Sequence, residues 1–351
     1  MTDLPTTTER TDHPALAGEV LAGYLNARAG AFLRALPLAV GEAGSRTGSL
    51  PSAGGAPGGG GVAGGTGELL RCVRRIGGAL HTFSTVFEPV WAQETRTELR
   101  WLSGLLAQEP GYVRRSARLL AALDSLSETD PGQPGMLAGH TGAPKARALM
   151  ERQLTLARTR AHTALLQELR SARLHALADR MTLLAGEVPV LPGGVGELRP
   201  QVATALGLLA AGVETLPPAR APYGGEGLHR LGAVPAQGTV VDADAVVAAD
   251  DAPWHRVRIL AKRARYALEV CGVGLPELDG IDQVLDRHQE AADAAVTVST
   301  AARTPRITPA TAYVLGVVHA DQRLEVEAAR YAFGHQWPTL QHHGWHVWAS
   351  C

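Results

Sequence analysis

Apolar residues recur at helical spacing along most of this chain, and the predicted elements follow from where that spacing starts and stops. Between Ala15 and Val40 the positions Leu16, Val20, Leu21, Tyr24, Leu25, Phe32, Leu33 and Leu36 mark a first long helix, with Pro37 as its expected stop. Residues 41–67 are dominated by Gly, Ser, Ala and Pro and contain an unbroken glycine run from Gly58 to Gly61. Ordering such a segment costs too much backbone entropy, so a disordered insertion is expected there. Helical patterning resumes over 68–106 with a break near Glu88-Pro89, and continues over 112–126 after Pro110-Gly111. A second Gly/Pro-rich stretch covers 130–144. The Leu/Ala/Arg segment 146–184 exceeds ordinary helix length and reads as one bundle-spanning helix or as two with a bend. A Pro/Gly stretch at 189–196 precedes a helix at 199–216, and 217–251 mixes turn residues with a short Val/Ala/Asp run. Three helices complete the pattern at 253–271, 280–300 and 309–337, each opened or followed by Pro or Gly.

Composition agrees with an all-α chain. Hydrophobic residues make up 45% but aromatics only 5%, so the core must be Leu, Ala and Val, which suits close-packed helices better than an aromatic-rich sheet. The net charge of -1 removes any argument for coating nucleic acid by bulk charge, and polyanion affinity would have to come from a local cluster. Cys72, Cys271 and Cys351 lie far apart without a C-x-x-C, which fits a reducing compartment. The polar N-terminus, with Asp3, Glu9 and Asp12 beside Arg10, lacks the order of a secretory signal. No apolar run reaches the roughly 20 residues of a membrane span. A soluble, cytoplasmic protein is the expectation.

Charge is concentrated at one place. His255, Arg256, Arg258, Lys262, Arg263 and Arg265 follow one another without an acid before Glu269. At about 100° per residue, His255, Arg258, Lys262 and Arg265 share an arc of roughly 80°, opposite Val257, Leu260, Ala264, Leu268 and Cys271. A basic amphipathic helix of this kind is commonly just a solvated face.

The order of residue types says more. His255-x-x-Arg258-x-x-x-Lys262-Arg263-x-Arg265-Tyr266-x-x-Glu269 closely resembles the second histidine-containing helix of the conserved histidine α-helical domain (CHAD) family. Leu285-Asp286-Arg287-His288-Gln289-Glu290 resembles the following helix of that family, with Asp286 in place of Gly and Glu290 in place of Asp. Arg74-Arg75-Ile76, Ala79-Leu80, Phe83 and Glu98-Leu99-Arg100-Trp101-Leu102 are similar to its first half. The resemblance implies two pseudo-symmetric antiparallel helical bundles facing a basic central groove, and inorganic polyphosphate as ligand, with polyphosphate granules as a further expected location. Carried onto this chain, it divides the sequence into an N-terminus (1–13), a first bundle half (14–188) holding the insertion 41–67, a second half (189–339) carrying the basic helix 253–271, and a tail (340–351).

On this reading His255, Arg258, Lys262 and Arg265 form the main contact row, and Arg256, Arg263, Arg74, Arg75 and His288 are secondary contacts. Arg forks bind phosphate oxygens in pairs and Lys acts as a point charge, so affinity comes from multiplicity. Protonated His255 would donate, which predicts tighter binding as pH falls. The first repeat is eroded: Gly67, Leu70 and Gly77 stand where the family has His, Arg and Arg, although Arg71, Arg74, Arg75 and His81 still supply cations. Gly77 and Gly78 also weaken their helix by about 1 kcal/mol each relative to Ala.

Other chemistries have weaker support. His335, His342, His343, His346 and Cys351 contain metal-ligand types without regular spacing. Asp242, Asp244, Asp250, Asp251 and the His288/Glu290 pair would need a framework to hold Mg²⁺, and no phosphate loop accompanies them. No interleaved aromatic series supports base stacking, so sequence-specific nucleic-acid recognition is not expected. The expectation is a non-enzymatic module with no cofactor and no metal. The first competing reading is an interaction scaffold that has lost its ligand, which acids from neighbouring helices neutralising the basic row would favour; a polyphosphate-processing enzyme and a nonspecific nucleic-acid binder rank behind it.

Overall fold

The computed structural model describes residues 14–45, 64–128, 135–191, 198–217 and 243–347. The expected N-terminal segment 1–13, the central part of the glycine-rich insertion, and most of 217–242 lie outside them. Nine α-helices span the described residues: α1 (Pro14–Ser45), α2 (Gly65–Thr82), α3 (Pro89–Ser127), α4 (Ala143–Glu168), α5 (Ala172–Gly186), α6 (Arg199–Glu214), α7 (Ala243–Val270), α8 (Pro276–Ala302) and α9 (Pro309–Val347). The all-α class is the observed one. A single antiparallel bridge, Phe87 to Val190, is the sole β pairing among the described residues.

Helix starts follow local chemistry. Glu88 caps α3 by accepting from the Val90 and Trp91 amides, at 3.0 and 2.5 Å, with Pro89 in the first turn. Ser171 accepts from the Leu174 amide at 3.2 Å and divides the long 146–184 segment into α4 and α5. Both ends of the expected 41–67 loop are helical. Gly41 to Ser45 finish α1, and Glu42 there accepts from the Gly65 and Thr66 amides, at 2.5 and 3.2 Å, neutralising the start of α2. Gly65 is required at this junction, because a Cβ would lie 2.6 Å from the Ala39 backbone nitrogen.

Helix ends at proline do not follow. Pro37, Pro110, Pro253 and Pro338 all lie inside helices. An interior proline costs about 3 kcal/mol, but buried residues lie on both sides of the break. Phe32 and Ala39 flank Pro37, Leu106 and Leu119 flank Pro110, and Phe333 and Leu340 flank Pro338. The expected tail is therefore partly helix, since α9 runs to Val347.

Among the described residues the interior contains two large apolar clusters. One gathers α1, α2, the first half of α3, the C-terminal part of α4, then α5, α6, α7, the start of α8 and the end of α9. The other joins Leu119 and Leu123 of α3, Met150 and Leu154 of α4, Ala294 and Val298 of α8, and Val314, Leu315 and Val318 of α9. Four long helices thus run from one core into the other, and each core draws on both sequence halves.

Candidate functional site

Helix α7 buries Trp254, Val257, Ala261, Ala264, Ala267 and Leu268, which turns its cations outward to either side. The predicted row is brought together, but against α8. Arg258 Nε donates to Asp286 Oδ1 at 2.6 Å, and Lys262 Nζ lies 3.0 Å from Asp286 Oδ2 and 3.3 Å from Asp282 Oδ2. Arg265 Nε lies 2.9 Å from Asp282 Oδ2 and 3.9 Å from Asp279 Oδ1. His255 Nδ1 is 2.7 Å from the Gln289 amide oxygen. The acids at 279, 282 and 286 repeat in the reverse order the spacing of the cations at 258, 262 and 265, as ion pairing between antiparallel neighbours requires. Burial works to raise the pKa of Asp286, but Arg258 and Lys262 outweigh it and hold the carboxyl below its ordinary range. Asp282 is more deeply buried, and desolvation raises its pKa despite the cations beside it.

The secondary candidates separate. Arg256 is exposed. Arg75 Nε is spent on Glu269 of α7 at 2.9 Å, and Glu269 also meets Arg28 of α1 at 3.5 Å. His288 is not a surface contact: it is 2% exposed, stacked on Trp254 with ring centroids 5.3 Å apart, and 3.2 Å from Arg330 Nε. Burial, then the Arg330 charge, pushes its pKa down to about 4. Arg330, itself 4% exposed, is held by Asp250, Asp251 and Glu327 at 2.6–2.9 Å. Asp250 and Asp251 are therefore components of a buried ionic joint between α7 and α9, with Arg323 as a second partner of Asp251 at 2.7 Å. Among the candidate C-terminal metal ligands, His335 packs edge-on against Tyr331, while His342, His343, His346 and Cys351 have side chains outside the described set.

Uncompensated charge lies on the other side of α7. Arg263 faces Arg96 and Arg100 of α3 and His81 of α2, and no carboxylate within the described residues forms an ion pair with any of the four. Burial and then mutual repulsion lower the pKa values of Arg263 and Arg96. Burial, then Arg263, Arg96 and Arg100, push His81 down to about 4. Two turns back along α2, Arg74 points to Ser103 Oγ of α3 at 3.5 Å; burial leads its lowered pKa, with the Arg258 and Arg114 charges adding to it against Tyr266 and Asp286. The cations thus trace one seam between α2, α3 and α7, from His81, Arg263, Arg96 and Arg100 to Arg74 and on to Arg258.

Close helix contact makes the seam possible. A Cβ on Gly78 would lie 2.6 Å from the Tyr266 ring, so α2 and α7 meet there at a distance only glycine permits. His81 and Arg100 stand in segments singled out from sequence, but Arg96 carries no local signal, since its significance comes from a residue far along the chain. A cavity of about 470 Å³ between α3 and α5 holds two further arginines, but Arg173 and Arg180 are bonded to Glu98 and Glu94 of its own wall.

The CHAD domain family model matches residues 68–302, and the chain belongs to that family. Among solved structures, PptA from Streptomyces chartreusis is 41% identical and superposes with a TM-score of 0.74, covering 92% of this chain and 99% of its own. The CHAD domain from the plant Ricinus communis is 18% identical with a TM-score of 0.49, covering 91% of each chain. A comparison with curated proteins returned no match. Among the described residues no helix is long and apolar enough to cross a membrane.

Proposed function

We propose that this chain binds inorganic polyphosphate, without catalysis, along the seam of α2, α3 and α7. The observation that carries the reading is the group His81, Arg96, Arg100 and Arg263, four cationic or protonatable side chains held together without a counter-ion among the described residues. Holding like charges together costs free energy that a bound polyanion would release. Their arrangement along helices suits a linear ligand, and Arg forks suit phosphate oxygens. Tyr266, an aromatic residue at the seam, is 8% exposed and offers no free face to a nucleobase, which favours a polyanion without bases. The polyphosphate-granule location goes with this reading.

The test is a titration with long-chain polyphosphate at low and moderate salt, comparing the native chain with R96A/R100A/R263A. The expected result is binding that weakens with salt in the native chain and a salt slope smaller by about 0.7–0.9 for each cation removed, by analogy with nucleic acids. The row on α7, neutralised by the acids of α8, favours a second reading, the scaffold, and absence of binding by the folded native chain at low salt would select it. Release of orthophosphate by the purified chain would overturn the non-enzymatic assignment.

A further inference from the structure

The row and the seam meet at Asp286. Its carboxylate bonds both Arg258 and Lys262 and also acts on Arg74. Its side chain is 41% exposed, whereas that of Asp282 is 7% exposed. The two acids therefore do different things. Asp282 is a fixed internal partner that keeps Lys262 and Arg265 in place, and Asp286 is a partner that an incoming anion can reach and replace.

We propose that the Asp286 carboxylate is a built-in competitor for ligand phosphate, withholding Arg258 and Lys262 from short anions and yielding them only to a long chain already held on Arg96, Arg100 and Arg263. This rests on the polyphosphate reading and adds a chain-length preference to it. His81 and Arg74 are seven residues apart on α2, or about 10 Å, so the quartet and the Asp286 end are separate stations along one path. A short anion at the row must displace a carboxylate fixed at bonding distance. A long chain bound at the quartet presents its next phosphates at an effective concentration on the order of millimolar, without new translational cost. Phosphate also offers more charge and more acceptor oxygens than the carboxylate it replaces. Displacement leaves the fold intact, because Asp282 still partners Lys262 and Arg265 and α7 remains packed through Trp254, Val257 and Ala261.

The experiment measures tripolyphosphate and long-chain polyphosphate binding by calorimetry at fixed salt, for the native chain, D286N and D279N. Asp279 is an exposed acid of the same helix, 3.9 Å from Arg265, so D279N reports the general effect of losing one negative charge. D286N should bind both ligands more tightly, by up to about tenfold, the worth of one charge-assisted contact. R258A/K262A should weaken only long-chain binding in the native background but both ligands in the D286N background, because only there does tripolyphosphate occupy the row. Asp286→Ala, with a melting curve to verify folding, repeats the test without the Asn amide. Loss of tripolyphosphate affinity in native R258A/K262A, or equal gains in D286N and D279N, overturns the inference while leaving polyphosphate binding in place. Failure of the native chain and every folded variant to bind long-chain polyphosphate overturns both.

Discussion

His81 is the member of the seam whose charge a bound ligand can switch. In the free protein burial and three arginines push its pKa down to about 4, below the ordinary histidine value of 6.5. A bound polyanion supplies the missing negative charge and raises that pKa, so binding takes up a proton wherever pH lies between the free and bound values. Affinity for polyphosphate should therefore rise as pH falls from about 7 toward 5, and H81N should flatten the response. His255, the expected pH-dependent donor, is bonded to Gln289 at the edge of the neutralised row, so H255N should leave most of the slope. A slope lost in H255N and kept in H81N would return the pH response to the row. Parallel titrations at several pH values decide it. The row itself was readable as a cluster from sequence. Its neutralisation was also encoded, in the mirrored spacing of Asp279, Asp282 and Asp286, but becomes visible only once α7 and α8 are set antiparallel.

Helix α2 carries two adjacent glycines that the structure makes unequal. A Cβ added at Gly77 would meet only the Leu99 Cβ, at an ordinary contact distance of 3.9 Å, whereas one at Gly78 would meet Tyr266 at 2.6 Å. G77A should gain up to about 1 kcal/mol from helix propensity, and G78A should lose about 1–3 kcal/mol by forcing α2 away from α7. Urea melts of the two variants measure this, and equal shifts would remove the crossing argument. Sequence propensity alone scores both glycines as the same defect. The prolines teach the converse: helix starts were legible at Pro89 and Pro309, where a missing amide costs nothing, whereas α8 opens at Pro276 ahead of the expected 280 and Pro253, an expected start, lies inside α7. Stops at Pro37 and Pro110 were not realised, because the apolar residues beyond each of them are buried in a core whose helices come from distant sequence.

Across the molecule, both large cores of the described residues draw on both sequence halves. Leu119, Leu123, Met150 and Leu154 have their core partners in α8 and α9, and Arg96 has Arg263 as its neighbour across the seam. A fragment ending at residue 188 should lack a cooperative melting transition, because its part of the second core has no cover; differential scanning calorimetry checks this, and a sharp transition would show that the half folds alone. The all-α class and the basic helix were legible because they depend on local periodicity. The seam was legible only in part, since it depends on contacts between segments far apart in the chain. The four long helices shared by both cores also place a demand on synthesis. At about 5–20 residues per second, the apolar stripe of α3 and α4 leaves the ribosome on the order of ten seconds before α8 and α9 exist to cover it. During that interval the nascent chain exposes a half-built core, so its yield in the cell should depend on holding chaperones more than on the stability of the finished fold.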